Sequence, residues 1–354
     1  MVDGGSKARD GAPATSRKTG FAPLVTVVLP AYRVERYLRE SLDSILAQSY
    51  PNFEVVVVDD ASPDRFPELV RQYRDDRLRY YRNPSNLGIF ATVNVGIELA
   101  RGELIAVQHA DDVYDPRILE RQVAFLAAHP EAGAVFCTDV FIDSEGREFG
   151  RLELPPEFRG SRVLRYSEVV NGLLRHGNTF IRDGTSLVRR AVYEDVGSFD
   201  PAFAQGADLE MWLRIARRHP IGILDERLRR YRWGHDNASA HYRRLRTEPE
   251  LTFAVMDRWL SGELDVPVEP DGLVEYEGRR AEDLLRVAIN LYILDRRGDV
   301  RRRLAQVRVG RILRARRLQR WRLLVIWGAL HVLARLPRIS FVSAAFYRRW
   351  GKGH

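Results

Sequence analysis

VTVVLPAYRVERYLRESLDSILAQSYPNFEVVVVDDAS, residues 25–62, is the stretch whose reading decides the fold. With Leu24 before it, the stretch holds two β-branched-rich apolar runs, 24–29 (LVTVVL) and 53–58 (FEVVVV), bounded by Pro30, Pro51 and Asp59. Runs of that length and composition read as buried strands. Between them Tyr37, Leu38, Leu42, Ile45 and Leu46 recur at helical spacing, which makes one strand–helix–strand unit. Strands that are apolar on both faces imply a parallel sheet covered by helices on both sides. The pattern continues as strand 78–81, helix 89–100, strand 103–108, helix 116–128 and strand 134–142. The expected fold is therefore α/β, a mostly parallel open sheet flanked by helices, whose ligands bind beyond the carboxyl ends of the strands.

Three of those strand ends carry Pro30-Ala31-Tyr32-Arg33, Asp59-Asp60-Ala61-Ser62 and His109-Ala110-Asp111-Asp112. Carboxylates gathered on one rim repel each other unless a cation or a donor-rich ligand joins them, so the cluster points to a divalent metal. A single Asp after a strand is commonly a turn former or helix cap; three ends loaded alike are harder to explain that way. No G-x-G-x-x-G follows the first strand and no G-x-x-x-x-G-K-[ST] occurs, so neither backbone cradle for phosphate is present. A hard cation held by one or two carboxylates and shared with substrate phosphates is the other common solution.

These residues, with Asn86-Leu87-Gly88, Asn94-Val95-Gly96, Gly102-Glu103 and Pro116, resemble family 2 glycosyltransferases of the GT-A fold. Farther along, the runs 185–190 (TSLVRR), 196–200 (VGSFD) and 208–213 (DLEMWL) match the acceptor half in order, so the resemblance covers about residues 24–240. It implies an inverting enzyme that moves a sugar from a nucleotide diphosphate donor, most commonly a uridine diphosphate sugar, to a hydroxyl of a glycan or lipid-linked acceptor. Donor contacts carried over are Pro30, Tyr32, Asp59, Asp60, Asn86, Asp111 and Asp112. Asp60 would accept from the base N–H or the ribose hydroxyls, while Tyr32 either packs on the base or lids the core. Asp111, with Asp112, His109 and His235, would hold a divalent metal, Mn2+ or Mg2+, which assists departure of the diphosphate.

Two departures from the family pattern bear on the site. His109 replaces the first acid of the usual D-x-D, and imidazole suits Mn2+ better than Mg2+. Ala207 stands where a Glu usually precedes Asp208. Asp208, four residues before Trp212, takes the position of the general base. A helix N-cap is its blander reading. His235 sits one residue out of the common Y-R-x-H register, which leaves Arg232 as an alternative positive charge toward the diphosphate. Two other classes stay open on these residues: a sugar-phosphate nucleotidyltransferase, which would need a Gly-rich basic loop where Ala31 to Glu35 offers none, and a non-catalytic sugar-nucleotide binder.

The chain's 354 residues suffice for one large or two ordinary domains. With 45% hydrophobic and 29% charged residues it reads as soluble or peripheral. The lone Cys137 excludes an internal disulfide framework and a Cys-based zinc site, consistent with a reducing compartment. The net charge of +8 is uneven: residues 296–354 hold 17 Arg or Lys against one acid, Asp299, a balance of +16 that leaves −8 on the rest. That asymmetry implies a tail that meets an anionic surface.

Within the tail, 323–334 is apolar but at about 18 Å of helix too short to span a bilayer. Beyond Pro337, Phe341, Val342, Phe346, Tyr347 and Trp350 beside Arg348 and Arg349 have the composition of a headgroup-level segment. The expected partner is the anionic inner face of the plasma membrane, with a basic hairpin packed on the acidic body as the alternative and no nucleic-acid module legible. The expected organisation is a disordered leader (1–22), a GT-A catalytic domain (23–241), a linker at 262–278 with packing helices (242–295), and the basic tail (296–354).

Overall fold

The computed structural model describes residues 22–234, 245–314 and 317–336. The leader through residue 21, His235 and the aromatic segment after Pro337 lie outside the described residues.

Strands β1 (Val25–Ala31) and β2 (Phe53–Asp59) are buried along their whole length. They pair in parallel from Val25↔Phe53 to Ala31↔Asp59 because α1 (Leu38–Leu46) returns the chain, burying Leu38, Leu42 and Ile45. After α2 (Phe66–Val70) come β3 (Leu78–Arg82), α3 (Ile89–Leu99) and β4 (Leu104–Val107). Helix α3 lies so close to β1 that a Cβ on Gly96 would come within 2.2 Å of Val28 Cγ1. The chain then runs through β5 (Val113–Tyr114), α4 (Ile118–Ala128), β6 (Ala134–Ile142), β7 (Glu148–Arg151), β8 (Arg162–Leu164), α5 (Tyr166–His176), β9 (Leu187–Arg189), α6 (Arg190–Val196), α7 (Ala207–Arg218) and β10 (Ile221–Arg232).

The sheet order is β3-β2-β1-β4-β9-β6-β10-β5, with β7 on β6 and β8 on β10. Pairing is parallel among β1 to β4 and between β6 and β10, whereas β9 is antiparallel to both neighbours. All the strands expected from apolar patterning are present. Those it did not reveal are short, except β10, whose twelve residues include Asp225, Glu226, Arg227, Arg229, Arg230 and Arg232. Two of these charges, Arg229 and Arg232, are buried, and they hide its apolar rhythm.

The C-terminal region corrects one expectation. A linker was expected at 262–278, but α8 (Leu251–Arg258) is followed by α9 (Pro270–Ile293), which starts inside that stretch with Pro270 in its first turn. Gly272 does not break the helix; a Cβ there would lie 3.3 Å from Leu174 Cβ of α5, so the glycine permits close packing. The described part of the basic tail is divided among α10 (Arg297–Gln306), α11 (Val309–Arg314) and α12 (Arg317–Leu333). Val300, Leu304, Val307, Ile312, Leu323, Leu330 and Ala334 form one core with Leu284, Leu285, Ala288, Leu291 and Tyr292 of α9. The α9 residues of that core recur at helical spacing, whereas the tail's contribution is spread over three helices, so no single-helix period displays that part. No described helix is long and apolar enough to cross a membrane.

Candidate active site

The carboxyl ends of β1, β2 and β4 lie side by side, as the sheet order requires. Pro30 is buried in β1 opposite Val58. Tyr32 is 40% exposed, with Arg33 stacked 5.1 Å over its ring, so it stands out from the rim and does not lid the core. Asp59 is fully buried and accepts from Ser62 N (2.8 Å), Tyr80 Oη (2.7 Å) and the Arg82 guanidinium. Asp60 Oδ1 accepts from Asn83 Nδ2 (2.9 Å) and Leu87 N (2.8 Å), and its Oδ2 from Gly88 N (2.9 Å). Asp59 thus ties β2 to β3, and Asp60 shapes the loop that presents Asn86, whose Nδ2 approaches the Asp60 carbonyl at 3.4 Å. Arg33 (φ 55°) and Ala61 (φ 57°) hold left-handed backbone just past the two strands, conformations that L-residues adopt at a cost where a site is being shaped.

Beyond β4, one ligating atom each from His109, Asp111 and Asp112 falls within 4.8 Å of the others. Asp112 is buried; its Oδ1 accepts from Arg232 N (2.8 Å) and its Oδ2 lies 3.3 Å from Arg229 Nη1. Burial pushes the Asp112 carboxyl up to about 7 against the pull of Arg229. His109 Nε2 is 3.0 Å from Asp183 Oδ2, and its Nδ1 is 3.8 Å from Asp112. Burial works against an imidazolium here, but Asp183, Asp112 and Asp111 together outweigh it and raise His109 to about 9.

Asp183 and Arg229 are the site residues that the sequence did not reveal. Arg229, on β10 and 1% exposed, grips Asp139 through Nε (2.7 Å) and Nη2 (2.9 Å) and donates from Nη1 to the Asp183 carbonyl (2.6 Å). Asp139 also accepts from Arg182 Nε at 2.9 Å. The next residue after Asp183, Gly184, has φ +81°, and a Cβ on it would stand 2.1 Å from Arg229 Nη1 and 3.1 Å from His109 Nδ1. We therefore expect Gly184→Ala to destabilise the fold by about 2–4 kcal/mol, from the left-handed backbone and the clash together, as a chemical-denaturation midpoint would show. The Asp-Gly pair was legible as a turn; that the turn packs against His109 was not. Arg232, the alternative diphosphate contact, is instead a buried strut. It pairs with Glu40, donates to the Asp111 carbonyl (2.9 Å) and the Asp143 carbonyl (3.1 Å), and lies 4.6 Å over the Tyr37 ring.

Asp208 sits in the first turn of α7, whose N-cap is Gly206, so it is not the cap. Its Oδ1 accepts from Leu209 N at 2.7 Å. Burial first, and the charge of Asp183 second, push its carboxyl up to about 7. Glu210 is drawn away by Arg214 (2.7 Å), which also donates to the Ser198 carbonyl (2.8 Å). Trp212 anchors the helix, buried edge-on against Phe136 and Phe199. Ala204 (φ 45°) adds a strained residue to the turn that delivers Asp208.

One oxygen each of Asp111 and Asp112, with the His109 imidazole once it gives up its proton, form a donor set that fits a divalent cation of the Mn2+ type. A sequence model described as glycosyl transferase family 2 matches residues 26–197. The "Putative glycosyltransferase EpsE" of Bacillus subtilis (strain 168) is 34% identical over 198 residues, 54% of this chain and 66% of that protein. An uncharacterized glycosyltransferase of Methanocaldococcus jannaschii is 28% identical over 215 residues, 59% of this chain and 71% of that protein. Among solved structures, S. aureus TarS 1-349 in complex with UDP-GlcNAc superposes with a TM-score of 0.59 at 20% identity, over 92% of this chain and 91% of that one. The mannosyltransferase PcManGT of Pyrobaculum calidifontis, in complex with GDP-Man and Mn2+, gives 0.50 at 21% identity, over 94% and 89%.

Proposed function

Residues 26–197 make this chain a member of glycosyl transferase family 2, and on that premise we propose that it transfers a sugar, with inversion, from a nucleotide diphosphate donor to an acceptor hydroxyl. The observation that carries the reading is Asp208, a carboxyl held near neutrality in the first turn of α7 and coupled electrostatically to Asp183 and His109. An inverting displacement needs one base within reach of the attacking hydroxyl. The hydroxyl proton passes to Asp208 as the new C–O bond forms and the nucleotide diphosphate leaves with the electrons of the broken one. Glu210, already bound to Arg214, does not compete for that proton.

On the donor side, the exposed Tyr32 ring offers a stacking face to the base. Asp60 Oδ2, with one donor among the described residues, keeps a lone pair for a ribose hydroxyl or base N–H. Pro30 and Asn86 flank that space, and Asp59 contributes by fixing the strand edge behind it. Asp111, Asp112 and His109 would hold a divalent metal, which when bound neutralises charge on the departing diphosphate. The UDP-GlcNAc, GDP-Man and Mn2+ complexes of structural neighbours support this donor class and this metal. A uridine diphosphate sugar is the donor to try first. The acceptor is a glycan or a lipid-linked glycan met at the cytoplasmic face of the membrane, toward which a tail of +16 is drawn.

Turnover should rise about tenfold per pH unit below about pH 7 and level off above it, because the base must be ionised and its carboxyl sits at about 7. A pH profile of kcat/KM checks this; a plateau extending down to about pH 5 would remove Asp208 from the role. The overall assignment is tested by a thermal-shift screen of nucleotides and nucleotide sugars with and without Mn2+, followed by turnover assays on the stabilising donors. One nucleotide diphosphate family should raise the melting temperature, more so with Mn2+. No shift with any of them would count against the assignment.

A further inference from the structure

Helix α12 is apolar on two opposite sides. Leu323, Leu330 and Ala334 are buried in the core shared with α9. On the far side Trp321, Val325 and Val332 are 61%, 68% and 59% exposed, and Leu336, just past the helix, extends the line. Positions 321, 325, 328, 332 and 336 follow the spacing of one helical face. Gly328, in the middle of that line, would meet none of the described residues within 4 Å if it carried a Cβ, so among them the face is open. Exposed Arg322 and Arg335 border it.

An outward apolar stripe needs an occupant, and charge selects among them. Residues 296–354 carry 17 basic groups against Asp299, and Asp299 is itself enclosed by Arg296 and Arg302. A second copy laid on this face would oppose arginine with arginine. An anionic lipid surface would instead pair with them while its acyl boundary takes the apolar stripe. The helix, at 17 residues, is not among those able to cross a bilayer. Bound to a bilayer, a helix of this length and pattern would lie in the plane.

We infer that the outward face of α12 docks the protein on an anionic bilayer, with the helix parallel to the surface and Trp321, Val325 and Val332 at the headgroup–acyl boundary. This rests on the membrane-side reading of the acceptor but is independent of the transfer chemistry. Through its inner face α12 packs on α9, which packs on α5, which packs on α7, the helix of Asp208. Docking by this face therefore holds the catalytic body to the surface through packed helices.

The test is flotation of the full-length protein with vesicles of phosphatidylcholine alone or mixed with phosphatidylglycerol, at low and high salt. Wild type should float with the mixed vesicles, less at high salt, and not with the neutral ones. Val325→Glu with Val332→Glu should lower the partition coefficient at least about tenfold, with melting temperature and donor turnover in solution unchanged. If the charged pair lowers the melting temperature, Val325→Ser with Val332→Ser is read in the same assay, and about threefold or more loss is expected. Equal flotation of wild type and variants overturns the inference, as does absence of flotation. So does a wild-type dimer by light scattering that the variants convert to monomer, which would make a second copy the occupant. Turnover measured in solution fails or survives separately, so a wrong transfer assignment would not be mistaken for a wrong docking face.

Discussion

Asp208→Asn should reduce turnover by about 10³-fold or more while leaving the protein at least as stable as wild type. The variant keeps the size of the side chain and its acceptor for Leu209 N but cannot take a proton from the acceptor hydroxyl. The stability effect follows from the same burial that raises its carboxyl. The Asp208 carboxyl moves from an ordinary 3.8 up to about 7 on folding. Between those values the folded state binds more protons than the unfolded one, so stability falls as pH rises, and above about 7 the full cost of the buried charge is present. Asparagine removes that cost. The gain should be on the order of 1–3 kcal/mol at about pH 8 and vanish near pH 4, read as melting temperatures of both proteins across pH. Donor affinity should be unchanged. A variant that loses activity, nucleotide binding and stability together would place Asp208 in the scaffold and not in the chemistry.

Arg229→Ala should cost about 3–5 kcal/mol of stability, the largest loss expected from a single substitution near the site. Arg229 is the internal cation of a buried acidic cluster: it forks onto Asp139, faces Asp112 and ties down the loop through the Asp183 carbonyl. Removing it leaves Asp112 and Asp139 buried without that counter-charge, which is far more costly than never having buried the group. Arg229→Lys should recover little, because a point-charge ammonium cannot reproduce the fork and the loop contact together. Urea denaturation of the three proteins measures the difference. If Arg229→Ala unfolds at the wild-type midpoint, the cluster does not hold the site as described.

The parts of this molecule legible from its residues are those where one element carries its own signal. Strands β1, β2 and β4 are unbroken apolar runs, and the acids that follow them fell on one rim because a parallel sheet aligns its carboxyl ends. Asp208 was reached through resemblance, and the structure supplies the physics, a first-turn carboxyl raised by burial. What escaped is distributed. Asp183 lies between α5 and β9 in a loop without period, and its relation to His109 exists only after folding. Arg229 and Arg232 look like surface charge in the run LRRYR, yet both are buried struts because β10 threads between β6 and β5. Gly272 fell in the expected linker yet marks close packing on α5, and the tail's share of its core is gathered from three helices, so no one of them displays it.

The most direct test of the account is a crystal of the protein grown with Mn2+ and uridine diphosphate, with data collected at the manganese edge. The account predicts an anomalous peak beside the Asp111 carboxylate, diphosphate density against it, and the nucleoside between Tyr32 and Asp60 at the ends of β1 and β2. A nucleotide bound elsewhere, or manganese that leaves Asp111 uncoordinated while the nucleotide is in place, would contradict it.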